Sequence, residues 1–111
     1  MKRFVALYMG SADGVAAPQP DSATIGKGMA AWQKWMTDHA ASLVDQGGPL
    51  GKTKKASKAG VTDAKNAITG YVVVEADSHE AAANMFIDHP HFAIFPGDSV
   101  EIMEVMPIPG Q

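Results

Sequence analysis

Two of the chain's four histidines, His89 and His91, bracket Pro90 in the stretch DHPHFAIFPGDSVEI. Imidazole titrates near neutral pH, so proton transfer and metal binding are the chemistries to test first. In an extended segment a His-x-His spacing points both rings to one side. With His39 and a carboxylate such as Asp88 or Asp98, the pair would complete a three-ligand site. No second histidine motif supports that site, and we expect no metal. In a plainer reading, Pro90 stops a helix and His89 caps its last carbonyls. His91, Phe92 and Phe95 then form the rim of a cleft. Between these lies a third reading, in which His89 or His91 hydrogen-bonds a polar group of a ligand.

His39 is the other candidate for acid/base work. Ile25, Met29, Trp32, Met36, His39 and Leu43 recur at helical spacing, and at about 100° per residue they form one stripe. His39 lies in that stripe, facing the sheet or a cavity above it. There it is either a general acid or base or a buried, hydrogen-bonded and inert histidine. Asp38 points about 100° away from it and makes no local dyad. Trp32 and Trp35 serve either as core or as the floor of a pocket, with Trp35, off the stripe centre, placed to line an opening. The candidate set is therefore His39 and His91 for catalysis, with Trp32, Trp35, Tyr71 and His89 around a ligand. His79 is expected in solvent, near a helix start.

These residues need elements to hold them. Arg3–Met9 is a strand candidate stopped by Gly10, followed by a long Gly- and Pro-containing loop. The first helix is expected from Ile25 to about Leu43, capped by Asp21 or Ser22 and ended by Gly47-Gly48. The stretches PLGKTKK and KASKAGV read as a short strand and a loop or hairpin, with Lys52, Lys54, Lys55 and Lys58 in solvent. ITGYVVVEA is a strand. Asp77-x-x-Glu80 offers a capping box for a second helix that ends at Pro90, and SVEIMEVMP is the last strand. The order is β-α-β-β-α-β, an α+β ferredoxin-like arrangement in a single domain, residues 1–111, with both helices on one face of an antiparallel sheet. The strands are apolar on both faces. A sheet with one face in water would alternate more cleanly, so a second copy is expected to cover it, giving a dimeric α+β barrel.

Composition narrows the class. Apolar residues make up 46% and charged residues 19%, and the net charge is −3. That is globular composition without the basic field that nucleic acid requires. Cysteine is absent, which removes thiolate chemistry and disulfides. The start reads as a strand and not as a signal peptide, and no segment has a membrane span's length. We expect no membrane association and a cytoplasmic protein. No phosphate-cradling glycine motif follows a strand, and no cofactor is expected.

Three blocks resemble one family. AAWQKWMTDHAASLVDQGGPLGK is similar to the first helix and turn of YCII-related proteins, KAGVTDAKNAITGYVVVEADSHEAA to the next block, and HPHFAIFPGDSVEIMEVMPIPG to the last. The resemblance implies the dimeric α+β barrel and a cleft between helices and sheet. A His-Asp pair has been proposed as catalytic in the founding branch. Here Lys58 stands at that branch's Asp, Ala59–Val61 replace its G-P-F, and its histidine falls near Met36. The pair does not carry over. Two functions follow: a protein binding a small organic molecule in the cleft, with histidine acid/base chemistry, or a non-catalytic dimerisation or regulatory module.

Overall fold

The computed structural model describes residues 1–11 and 19–110; the 12–18 part of the long loop lies outside them. β1 (Lys2–Met9) leads to α1 (Ser22–Asp38), then β2 (Leu43–Pro49), a hairpin of β3 (Thr53–Ser57) and β4 (Gly60–Ala64), and β5 (Ile68–Ala76). Two short helices, α2 (His79–Asn84) and α3 (Pro90–Ala93), precede β6 (Ser99–Glu104). The main sheet has the order β2-β5-β1-β6, antiparallel throughout. With β3 and β4 set aside, this is the ferredoxin-like order of a βαββαβ chain. No helix among the described residues is long and apolar enough to cross a membrane.

α1 starts where expected: the Asp21 carboxylate accepts from the Thr24 N–H at 2.7 Å. It stops earlier than the stripe suggested. His39 leaves helical geometry, a single 3-10 turn covers 40–42, and Leu43 opens β2. Leu43 still packs against the core, but from a strand paired with Val74. Its helical spacing from Met36 was therefore a correct sign of burial and a wrong sign of helix. Gly47-Gly48 do not end a helix. They lie inside β2, where the register slips twice, and Gly47 has φ +63. A Cβ there would stand 1.8 Å from the Tyr71 carbonyl oxygen, so only glycine fits. Pro49 is tolerated because β2 is an edge strand.

The lysine-rich stretch is an inserted hairpin and supplies no strand to the main sheet. Lys54 bridges to Asp63 across it, and its residues are almost all exposed. The second helix is capped by Ser78, whose hydroxyl accepts from the Ala81 N–H at 3.0 Å, and not by the expected Asp77 box. It is short. The chain then turns through Asp88, a non-glycine residue at φ +57. α2 ends at Asn84, before the expected stop at Pro90, and Pro90 is instead the first residue of α3, where its missing N–H costs nothing.

The sheet's helix-side face carries Phe4, Ala6, Tyr8, Val72 and Val74, all buried against Trp35, Ala82 and Phe86. The other face alternates with it. Val5, Leu7 and Val73 are only half-buried there, and Met103, opposite Val5, is 41% exposed.

Candidate functional site

Tyr8 is the side chain on which the site is built. It lies near the end of β1 on the helix side, opposite Gly70 of β5, where a Cβ would come within 3.3 Å of its ring. The register shifts just beyond it, and the Thr69 hydroxyl donates to the Tyr8 carbonyl at 2.9 Å. Such irregularities re-aim side chains beside binding sites. Around the phenol stand Trp32 at 4.9 Å between ring centres and His89 and His91 at 5.2 Å each.

The two histidines are fixed by backbone. His89 is fully buried and is the N-cap of α3: its Nδ1 accepts from the His91 N–H at 3.0 Å. It therefore caps the start of a helix and not the last carbonyls of the preceding one. With Nδ1 accepting, the neutral ring carries its proton on Nε2, which faces the Tyr8 hydroxyl at 3.5 Å. Burial, and then the nearby His91 and His39, push the His89 pKa down from 6.5 to about 4, so it is neutral at pH 7. Burial likewise raises the Tyr8 phenol above its ordinary value. His91 Nε2 donates to the Met9 carbonyl at 2.8 Å. Its ring occupies the place where a Cβ at Gly97 would stand.

His39 sits elsewhere. It is half-buried, its Nδ1 donates to the Trp35 carbonyl at 2.9 Å, and its ring lies 4.5 Å from the Trp35 indole. Trp35 is 7% exposed, contacts Phe86 and His89, and donates its indole N–H to the Met85 carbonyl at 2.8 Å. It belongs to the core and is not among the residues lining the cavity between α1 and the sheet, whereas the sequence expectation had it lining an opening. Its ring packs on His39 at 4.5 Å and on His89 at 4.8 Å, separating His39 from the 89–91 pair among the described residues. His79 is exposed at the start of α2, as expected, with its ring stacked on Phe4 at 5.4 Å and its Nε2 donating to the Ile102 carbonyl at 2.7 Å. Among the described residues no three His, Asp or Glu side chains converge as metal ligands.

A cavity of about 400 Å³ opens between α1 and the β2–β5 edge of the sheet. Tyr8, Trp32 and Phe95 supply its aromatic walls, and Gly48, Pro49 and Gly70 its backbone floor. Met29 on α1 completes the apolar side, with Gln46 and Thr69 as the polar lining. α1 can approach Phe95 closely because residue 28 is glycine; a Cβ there would fall 2.5 Å from the ring. Tyr71 borders the cavity, yet the register places its side chain with Leu7 on the far face, where its hydroxyl donates to Asp45 at 3.3 Å. Of the six sequence candidates the structure thus gathers Trp32, His89 and His91 around Tyr8, brings Tyr71 to the wall by its backbone side, and leaves Trp35 and His39 in the adjoining core. Tyr8 was not among the candidates, whereas Phe95 was expected at the cleft rim and does line the cavity. The signal for Tyr8 was its place as the last aromatic of the Phe4, Ala6, Tyr8 face before Gly10.

No known family's sequence profile matches this chain, and no curated protein matches it. Among solved structures, the 5-chloro-2-hydroxyhydroquinone dehydrochlorinase TftG from Burkholderia phenoliruptrix AC1100, in complex with 2,5-dihydroxybenzoquinone, superposes with a TM-score of 0.55. The two are 17% identical over 94% of this chain and 93% of that one. The chain is similar to it in fold along nearly its whole length.

Proposed function

We propose that this chain binds a small planar organic molecule in the cavity between α1 and the sheet. The observation that carries the reading is the room itself: about 400 Å³ walled by Tyr8, Trp32 and Phe95, the size and lining of a site for a one- or two-ring ligand. The solved structure of similar fold is an enzyme complexed with a one-ring compound, which fits that class. The resemblance of three sequence blocks to YCII-related proteins would imply the same placement between helix and sheet. Any proton handling falls to the Tyr8–His89 contact, the nearest to the cavity. His91 positions His89 by its backbone N–H, and His39 is held against Trp35. A thermal-shift screen of phenols, quinones and aromatic ketones tests this, because a ligand of the folded state raises the melting temperature. A hit should lose its shift in Trp32→Ala. A hit that stabilises Trp32→Ala as well as the parent protein refutes the site.

We also propose that two copies associate through the second face of the sheet, where Val5, Leu7, Val73 and Met103 remain half-buried or exposed. Apolar residues on both faces of an antiparallel sheet call for cover on both. Light scattering should give twice the chain mass and Leu7→Glu a monomer; a parent protein monomeric at micromolar concentration overturns this association. The non-catalytic module needs this surface alone. A cavity that binds nothing while the dimer persists would favour it.

A further inference from the structure

Resting on the binding reading above, we propose that the cavity selects uncharged ring compounds that bear a carbonyl, and that the carbonyl oxygen accepts its hydrogen bond from Tyr8.

The first argument is the direction of the Tyr8 proton. His89 Nδ1 is committed as an acceptor to the His91 N–H, so its other nitrogen can only donate toward Tyr8. The phenol oxygen is then the acceptor on the His89 side, at the long distance of 3.5 Å. The Tyr8 O–H proton must point elsewhere, and no other described group accepts it. The cavity is the adjoining space that Tyr8 lines. A buried hydroxyl donor wants an acceptor there, and an oxygen on a ring ligand supplies one.

The second argument is charge. None of the described lining residues is ionised at neutral pH: they are Tyr, Trp, Phe, Met, Gln, Thr, Gly and Pro. A carboxylate or phosphate entering the cavity would give up water for no cation. An organic cation has aromatic walls to attract it, but a test of that environment is already built in. His89 lies 4.6 Å from Trp32 and 5.2 Å from Tyr8, and its charged form is disfavoured there. Burial and the neighbouring His91 and His39 disfavour positive charge at this end of the site, and the described lining offers a ligand cation no carboxylate. A neutral acceptor is what remains.

Four probes on one benzene ring separate the cases: acetophenone, ethylbenzene, benzoate and benzylammonium. Binding is followed by titration against the two indole N–H signals of ¹⁵N-labelled protein, assigned with Trp32→Phe, so that the cavity reports through Trp32 and the core through Trp35. Acetophenone is expected to bind about 3- to 10-fold more tightly than ethylbenzene, the worth of one net hydrogen bond, and more tightly than either charged probe. Tyr8→Phe should bring acetophenone down to the ethylbenzene level and leave ethylbenzene unchanged. If benzoate or benzylammonium binds best, or acetophenone and ethylbenzene bind alike, the selectivity is refuted while the cavity stands. An acetophenone affinity unmoved in Tyr8→Phe also refutes it. If no probe moves the Trp32 signal, the binding reading falls and the selectivity with it. The four-probe ranking on the parent protein decides the matter even if the variant fails to fold.

Discussion

α1 meets the sheet through two tryptophans one turn apart, and the two meetings differ. At Trp35 the indole is enclosed by Phe86, His89 and His39, and its N–H is satisfied by a backbone carbonyl. At Trp32 the same residue type is half-buried beside Tyr8 and Phe95, with a cavity on its open side. The Trp35 indole is packed shut, and the Trp32 indole is left open on one side. A close-packed interior makes both the rule and its exception informative. Side chains that leave room in an otherwise filled helix–sheet layer are where a ligand can enter, and His89, touching both tryptophans, joins the two regions.

Trp35→Ala should produce the largest effect, a loss of about 3–5 kcal/mol of stability by chemical denaturation, as for other large buried aromatics cut to Ala. The pH dependence of stability comes next. The unfolded chain protonates His89 near 6.5 and the folded chain only near 4, so the unfolded state binds more protons across that window. Stability is full above 6.5 and falls as the pH drops toward 4, by roughly 2–3 kcal/mol for this one group. His89→Asn keeps a capping acceptor and should flatten the slope; an unchanged slope would show that other groups drive it. Trp32→Ala should cost least, about 1–2 kcal/mol, because the residue already borders a void. If it costs as much as Trp35→Ala, the two regions are equally packed and the open site does not exist in solution.

The strands β1, β5 and β6 were legible from the alternation along Phe4–Tyr8, the run Tyr71–Val74 and the stretch SVEIME. β2 was not: Leu43 was expected in the helix and the second strand in PLGKTKK. Nor was the end of α1. Leu43 satisfies the helical period and the strand's burial equally, and only its pairing with Val74 separates them. The insertion of β3 and β4 was visible as a hairpin but not as one outside the sheet, since register is a tertiary property. Within the site, Trp32, His89 and His91 could be named from residue type and spacing. Their convergence on Tyr8 depends on Pro90 opening a new helix turn and on Gly97 and Gly28 leaving space for His91 and Phe95. Those are contacts between distant segments, and local spacing carries no trace of them. Trp35 was misplaced for the same reason: its core partners Phe86, Met85 and His89 come from the second half of the chain.

The strand pairing bears on synthesis as well. β1 is the second strand from one edge and its strand partners are β5 and β6, so it has no strand to pair with until residue 68 and beyond have been made. During translation the apolar segment FVALYM leaves the ribosome well before β5 and stays unpaired until β5 follows it. Such distant pairings slow folding and leave sticky edges exposed. A nascent chain stalled before β5 should therefore be a chaperone client, and it should become protease-resistant only once β5 has cleared the exit tunnel.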